Sequence, residues 1–549
     1  MAKVPAAPLA GVDPVTSEVI KNALIYASEE MGIAVRNAAY SPNIKERLDH
    51  SCAIFDRTGR LIAQAEHIPV HLGSLPWGLR ETLRVLEARA TPMRAGEMWV
   101  VNDPYISGTH LNDVTVIRPV FYRQGGAGPE RLVGYAANKA HHTDVGGSVP
   151  GSMSPDATDL CQEGLVIAPL RLMQDDRVML EVVDLIRANS RTPDQRSGDL
   201  KAQIAGSHTG ERRLIEVINR YGMATFDAAI EKILAESERR MRVEIGKLAQ
   251  GTFTAEDFLE DQHGKPIIRL ALRITIEDGS VIADYEGTSA QVPFPINAVY
   301  GVTLSGVYYA LRAVIDPTIP MNEGCFRPID VRVPLGTVLN PRRPAPVAGG
   351  NVETSQRNAD VMLRALAQAA PDRVPAACGG TMSNVMLGGV TSQGLHWTFY
   401  ETNGSGMGGR PHEDGVDGIQ CNMTNTLNTP IEAIERYFPL RITRYEFAEG
   451  TGGAGRHRGG NGLIRRFHLT DGSAVASLLA DRHTLQPWGL QGGEPGTSGK
   501  HTLTRGGKTT QLAAKTTVPL EVGDELSIQT PGGGGYGKPA KAKKKVSPR

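Results

Sequence analysis

Long apolar runs are missing from this chain of 549 residues. No segment approaches the ~20 consecutive apolar residues of a bilayer-spanning helix, and residues 1–9 hold no apolar stretch of signal-peptide length. Cysteine is scarce: the five present (Cys52, Cys161, Cys325, Cys378, Cys421) include no C-x-x-C pair. That excludes a zinc ribbon or a disulfide framework, and each cysteine is expected to be a small buried residue in a reducing compartment. A cytoplasmic protein is the expectation. Excess charge of one sign is also missing, with 59 Lys and Arg against 59 Asp and Glu. The chain therefore lacks the positive field that nucleic-acid binding requires.

Nucleotide-binding loops are absent as well, although glycine is abundant. The run Gly404-Ser-Gly406-Met-Gly408-Gly409 leads into turn-forming residues, not into a helix whose N-terminus could receive phosphate. Near Gly499-Lys500 a phosphate loop fails at both ends, with Glu494 in the place of its first glycine and His501 in the place of its serine or threonine. No G-x-S-x-G elbow points to a serine hydrolase. The 62 glycines, about one residue in nine, exceed the usual ~7% and cluster without a period in the C-terminal half, which indicates tight turns and close backbone contacts. In 449–460 the glycines read as loop packing, with an anion-binding nest between Arg456 and Arg458 as the alternative.

What is present is a pair of H-x-x-D elements about thirty residues apart, His110-Leu-Asn-Asp113 and His141-His-Thr-Asp144. Imidazole nitrogen with carboxylate oxygen suits manganese, zinc or iron(II) and commonly leaves a coordination position open. One such element is usually a surface pair or a capped turn; two together, with Asp103 and His142 close by, point to a metal site.

The length suggests about three or four domains, and the pattern of elements an α+β class. We expect multiple domains, mixed sheets with packed helices and a β-rich, glycine-rich C-terminal part. Asp13 and Pro14 start a helix over 15–36 with Val19, Ile20, Leu24 and Met31 toward a core. Strand, turn and strand follow over 52–64, then a helix over 76–86 and a strand over 98–101 that delivers the chain to His110. Strands over 114–121 and 132–137 leave the first element and feed the second. Charged helix fills 211–250, a hairpin 267–285, and a helix opens at Gly349 after the stiff stretch 341–346. The predicted divisions are 1–210, a metal-bearing unit; 211–345, helical with a hairpin; 346–537, glycine-rich; and 538–549, a disordered basic tail.

Six segments carry a resemblance: Asp13-Pro-Val-Thr-Ser-Glu-Val-Ile20, Glu46-Arg-Leu-Asp-His-Ser51, Asn102-Asp-Pro-Tyr105 with Thr109-His-Leu-Asn-Asp113, His141-His-Thr-Asp-Val-Gly-Gly147, Gly350-Asn-Val-Glu-Thr-Ser355 and Thr451-Gly-Gly-Ala-Gly-Arg456. In these the chain resembles, to about Gly537, the hydantoinase B family of ATP-dependent hydantoinase and lactamase beta subunits, oxoprolinase C-terminal parts and acetone carboxylase alpha subunits. The resemblance implies a divalent metal on His110, Asp113 and a histidine of the second element, with His141 favoured over His142. Asp144 is implied as a further ligand or an orienting carboxylate, an ambiguity Asp103 shares. It also implies a hydantoinase A-like partner that binds ATP and phosphorylates the carbonyl oxygen of a cyclic amide, while this chain supplies the hydrolytic water. Glu46 and Asp49 are the acid/base candidates, against a structural role paired with Arg47 or capping a turn. The alternative is an alpha-type subunit of an ATP-dependent ketone carboxylase using the same loops, and a third reading is a scaffold that stabilises its partner.

Overall fold

The computed structural model describes residues 12–65, 67–126 and 128–540. The tail expected to be disordered therefore lies, beyond Ala540, outside the described residues. The architecture is α+β, and its elements form four sheets among the described residues.

The first sheet is antiparallel and has seven strands, in the order Leu61–Gln64, His50–Asp56, Arg131–His141, Asp113–Tyr122, Met98–Val101, Leu170–Gln174 and Arg177–Val178. Alternation along the strands sends Cys52, Ile54, Ala136 and Ala140 to one face and Ala53, Phe55 and Ala137 to the other. The first set packs under the helices Pro14–Ala38 and Pro193–Tyr221, and the second joins the large central core. Asp13 caps the first helix by accepting from Thr16 N at 3.0 Å. Ile20, Leu24 and Met31 are buried as expected, but Val19 is 42% exposed because it lies about 100° around the helix from Ile20. The second helix approaches closely because of Gly210, where a Cβ would stand 2.5 Å from Met31 Sδ. Pro193–Tyr221 runs through residue 210, and a break at Gly222 separates it from Met223–Gly246.

The second sheet holds the expected hairpin, Ile268–Glu277 with Ser280–Asp284, between Gly251–Leu259 and Ile329–Arg332. Helices Tyr300–Val314 and Ser355–Ala369 pack on each other, and the second of them also lies on this sheet. In the C-terminal part a four-stranded and a five-stranded sheet stack through Leu387, Phe399, Phe467 and Ile528. The glycine runs of this part interlock by backbone hydrogen bonds: Gly453 N donates to Gly533 O and Gly460 N to Met407 O. The amides of Gly453, Arg456, His457, Gly459 and Gly460 donate to backbone carbonyls in that packing. No described helix is long and apolar enough to cross a membrane.

Candidate metal centre

Register brings the two H-x-x-D elements together. Asp113 opens the strand Asp113–Tyr122, His141 closes Arg131–His141, and the two residues are direct partners across the ladder. His110 hangs from the turn before Asp113. Gly108 shapes that turn, in the left-handed region at φ +84°, where a Cβ would meet Trp77 at 2.9 Å.

Three atoms converge. His110 Nε2 lies 3.1 Å from Asp113 Oδ1 and 3.1 Å from His141 Nδ1, and His141 Nδ1 lies 3.2 Å from the same Oδ1. All three residues are 1–2% exposed. His110 Nδ1 is 3.2 Å from the Ala348 carbonyl, which can only accept, so the proton of a neutral ring sits on Nδ1 and Nε2 presents a lone pair. A lone pair facing a carboxylate oxygen and a second ring nitrogen calls for a cation among them. Triangle edges of this length match adjacent ligands around one ion with bonds of ~2.1–2.2 Å. The residues present therefore fit a divalent metal on His110, Asp113 and His141.

Outer contacts hold the three in place. Asp113 Oδ2 accepts from His71 Nε2 at 3.2 Å and Asn351 Nδ2 at 3.4 Å, which leaves Oδ1 to face the histidines. His71 Nδ1 in turn meets the Ser51 hydroxyl at 2.8 Å. The His141 ring stacks on Tyr400, with centroids 4.4 Å apart and planes at 15°. Burial pushes the Asp113 carboxyl up, but without a metal the charge of a protonated His110 and the bonds from His110, His141 and His71 outweigh it and hold the group well below the usual carboxylate range. Burial also pushes His110 down, and the Asp113 carboxylate more than reverses this. His71 and His141 are shifted down, mainly by burial. A cavity of about 20 Å³ beside the cluster, bounded also by Asp49 and Asn351, has room for about one water or ion.

The other residues singled out in the sequence fall in different places. His142 points to the opposite face of its strand, where its Nε2 meets Gln203 Oε1 at 2.9 Å and burial pulls its pKa to about 4. Asp49 lines the cavity, and its backbone carbonyl accepts from His141 N at 3.0 Å. Among the described residues its carboxylate has no hydrogen bond or ion pair; Arg47 turns instead to Tyr400 O at 3.2 Å and Thr402 Oγ1 at 2.7 Å. Glu46 is half-buried at the end of the helix Pro42–Lys45 and does not border the cavity. Asp144 is tied into its own loop, accepting from Arg191 Nη1 at 3.0 Å, Arg191 N at 3.0 Å and the amides of Gly146 and Gly151 at 3.2 Å. Asp103 caps the helix Pro104–Ser107 and pairs with Arg343. Sequence reasoning missed His71 entirely and named the segment containing Asn351 without giving that residue a role. The stretch 341–346 leads into Ala348, whose carbonyl meets His110 Nδ1. Cys161 is exposed and Cys421 partly so, against the expectation of burial.

A profile of the family described as Hydantoinase B/oxoprolinase matches residues 13–539. The chain belongs to the hydantoinase B/oxoprolinase family. It is 47% identical over 528 residues to an uncharacterized protein of Methanocaldococcus jannaschii, covering 96% of this chain and 91% of that one. A putative B-type subunit of a D-/L-hydantoinase from a Pseudomonas strain is 34% identical over 96% of this chain and 90% of its own. Arabidopsis thaliana 5-oxoprolinase 1 is 35% identical over 96% of this chain, which spans only 42% of that protein's length. Among solved structures, the ATP-dependent caprolactamase from Pseudomonas jessenii superposes with a TM-score of 0.88 at 29% identity, over 96% of this chain and 91% of that one. Acetone carboxylase, at 18% identity and a TM-score of 0.88 over 98% of this chain and 78% of that one, shares the fold.

Proposed function

We propose that this chain is the hydrolytic subunit of an ATP-dependent cyclic amidase, acting on a hydantoin, oxoproline or lactam ring whose carbonyl oxygen a hydantoinase A-like, ATP-binding partner has phosphorylated. The observation that carries the reading is the buried His110–Asp113–His141 triangle beside the Asp49 carboxylate, which has no partner among the described residues. The names of the hydantoinase and caprolactamase relatives support the substrate class and the need for ATP.

An unactivated ring amide is a poor electrophile; phosphorylation of its oxygen makes the carbon imidate-like and provides a leaving group. When bound, a manganese, zinc or iron ion supplies a Lewis acid that brings the pKa of water toward ~7. His71 and Asn351 hold Asp113 Oδ2, and Ala348 O fixes the His110 tautomer, so the ligand atoms are set before substrate arrives. Asp49 borders the cavity, where a carboxylate can pass the protons of the attacking water to the ring nitrogen as the C–N bond breaks; the acyl phosphate so formed then takes up a second water at its carbonyl carbon and releases phosphate.

The test is metal content and product analysis on the co-purified two-subunit complex, given ATP, bicarbonate and a panel of lactams, hydantoins and ketones. Bound metal with bicarbonate-independent ring opening is expected. Bicarbonate-dependent formation of a keto acid would replace this reading with a carboxylase.

A further inference from the structure

The metal centre poses a problem of access. Its residues are 1–2% exposed and the cavity beside them, about 20 Å³, cannot admit a ring. A second, far larger cleft of about 600 Å³ lies against it, within the ~300–1,000 Å³ range of small-molecule sites. The two spaces share one residue, Thr424, and Pro69 of the cleft stands between Ile68 and Val70 of the inner cavity.

We propose that this cleft binds the body of an uncharged cyclic amide and that the segment around Thr424 is the door through which the ring reaches the metal centre; the substrate half of this proposal rests on the amidase reading. The wall is thin: Met423 is buried in the core and Asn425 Nδ2 donates to His67 O at 3.1 Å, but Thr424 between them is lightly held. Residues 421–429 form no helix or strand, Asn422 sits at φ 53°, and the Thr424 amide makes a single long bond of 3.4 Å to Cys421 O. The Thr424 side chain has no hydrogen bond among the described residues. Its neighbours are anchored: Asn422 donates to Asp360 Oδ1 at 3.0 Å, and Thr426 meets Thr402 Oγ1 at 2.9 Å. A short span between two fixed posts is what a local gate requires.

The chemistry of the cleft selects the class of ligand. Its inner wall is apolar, from Val314, Leu363 and Ala376, with Tyr309 and Ile419 beside them. Charge is confined to the rim and balanced there: Asp372 adjoins Arg373, and Arg410 pairs with Glu413 at 2.8 Å. A ring bearing methylenes or an apolar substituent loses water favourably against that wall, whereas a carboxylate on the same ring would be buried without a partner.

Two plugs test the route without disturbing the core, Ile419→Trp and Ala313→Trp, since both residues border the cleft and are exposed. In the full chain loaded with cobalt(II), the neutral chelator 1,10-phenanthroline should strip the metal at least tenfold more slowly from each plug than from wild type, with equal cobalt content at the start. Stripping within twofold of wild type in both would overturn the route, whatever the protein catalyses. In the two-subunit complex with ATP, the plugs should raise KM for ε-caprolactam and hydantoin at least tenfold. Wild type should favour these rings over 5-oxoproline at least tenfold in kcat/KM. The opposite preference would overturn the uncharged class, and an absence of ring opening in wild type would sink the amidase reading while the cobalt arm still decides the route.

Discussion

Histidine tautomers decide the chemistry at the smallest scale. Because Ala348 O takes the Nδ1 proton of His110, the inward nitrogen is a ready ligand, and His141 offers its own inward nitrogen across the same carboxylate oxygen. We expect His110→Ala and Asp113→Ala each to lower bound metal from about one per chain to below about a tenth, whereas His142→Ala, on the opposite face, keeps it. His71→Ala, which removes an orienting bond from Asp113, should weaken metal affinity ~10–100-fold. Elemental analysis after dialysis and competition with a chromogenic chelator read these outcomes; full metal in the His110 variant would sink the site.

Glu163 acts one step farther out. Its Oε1 accepts from Val347 N and Ala348 N, both at 2.8 Å, and so holds the peptide whose carbonyl orients His110. Burial pushes its pKa up to about 8, against the pull of those amides and of the His110 charge. Between the ordinary carboxyl value of 4.5 and about 8 the folded chain keeps a proton that the unfolded chain has released. Stability therefore falls as pH rises through this window, by up to a few kcal/mol. Glu163→Gln keeps an acceptor and removes the titration, so urea midpoints of wild type should decline relative to this variant from pH 5 to pH 8. Parallel midpoints would refute it. Glu163→Leu, which strands two buried amides, should lose about 2–4 kcal/mol.

At the scale of elements, a strand end converts a one-residue difference into a change of role. Alternation places Lys139 and His141 on the face of the metal centre and Asn138 and His142 on the face of Pro193–Tyr221, where both bond Gln203. Beyond His141 the chain leaves the sheet, so Asp144 joins a turn with Arg191 despite its H-x-x-D spacing. Asp144→Ala should cost about 1–3 kcal/mol, nearer the lower end because Arg191 is partly exposed and screened, with bound metal retained. Loss of metal in a variant that still melts cooperatively would instead make Asp144 part of the site.

For the whole molecule, local signals and long-range ones differ in legibility. The first helix, the strands that flank His110 and carry His141 and the hairpin turning at Asp278 were readable because caps, alternation and turn residues act over a few positions. A metal site was readable in the two matching motifs, whereas the choice of His110, Asp113 and His141 among their residues came from the family resemblance. His71 was not: it is the first residue of a helix, and only the packing of that helix against the sheet aims it at Asp113. Ala348 was equally hidden, since a backbone carbonyl leaves no mark in a residue pattern.

The same distinction applies to the largest buried polar feature, which no motif announces. Arg357, within Ser355–Ala369, reaches Asp481 at 3.0 Å and Asp257 at 3.5 Å; Arg482 meets Asp257 at 3.0 Å and Asp360 at 3.2 Å; Lys515 meets Asp481 at 3.1 Å. All six side chains are at most 6% exposed, and they join a helix, a strand of the second sheet and two segments of the C-terminal part. With three cations against three carboxylates, deleting one member leaves a buried charge unanswered, a loss of about 3–5 kcal/mol. Arg357→Met should therefore unfold at clearly lower denaturant than wild type. Adding Asp481→Asn restores the balance, two cations against two carboxylates, so the pair should cost at least about 1 kcal/mol less than the two single losses added together. Strict additivity would mean that each charge is solvated on its own, and the cluster would then not be what binds the C-terminal part to the rest of the chain.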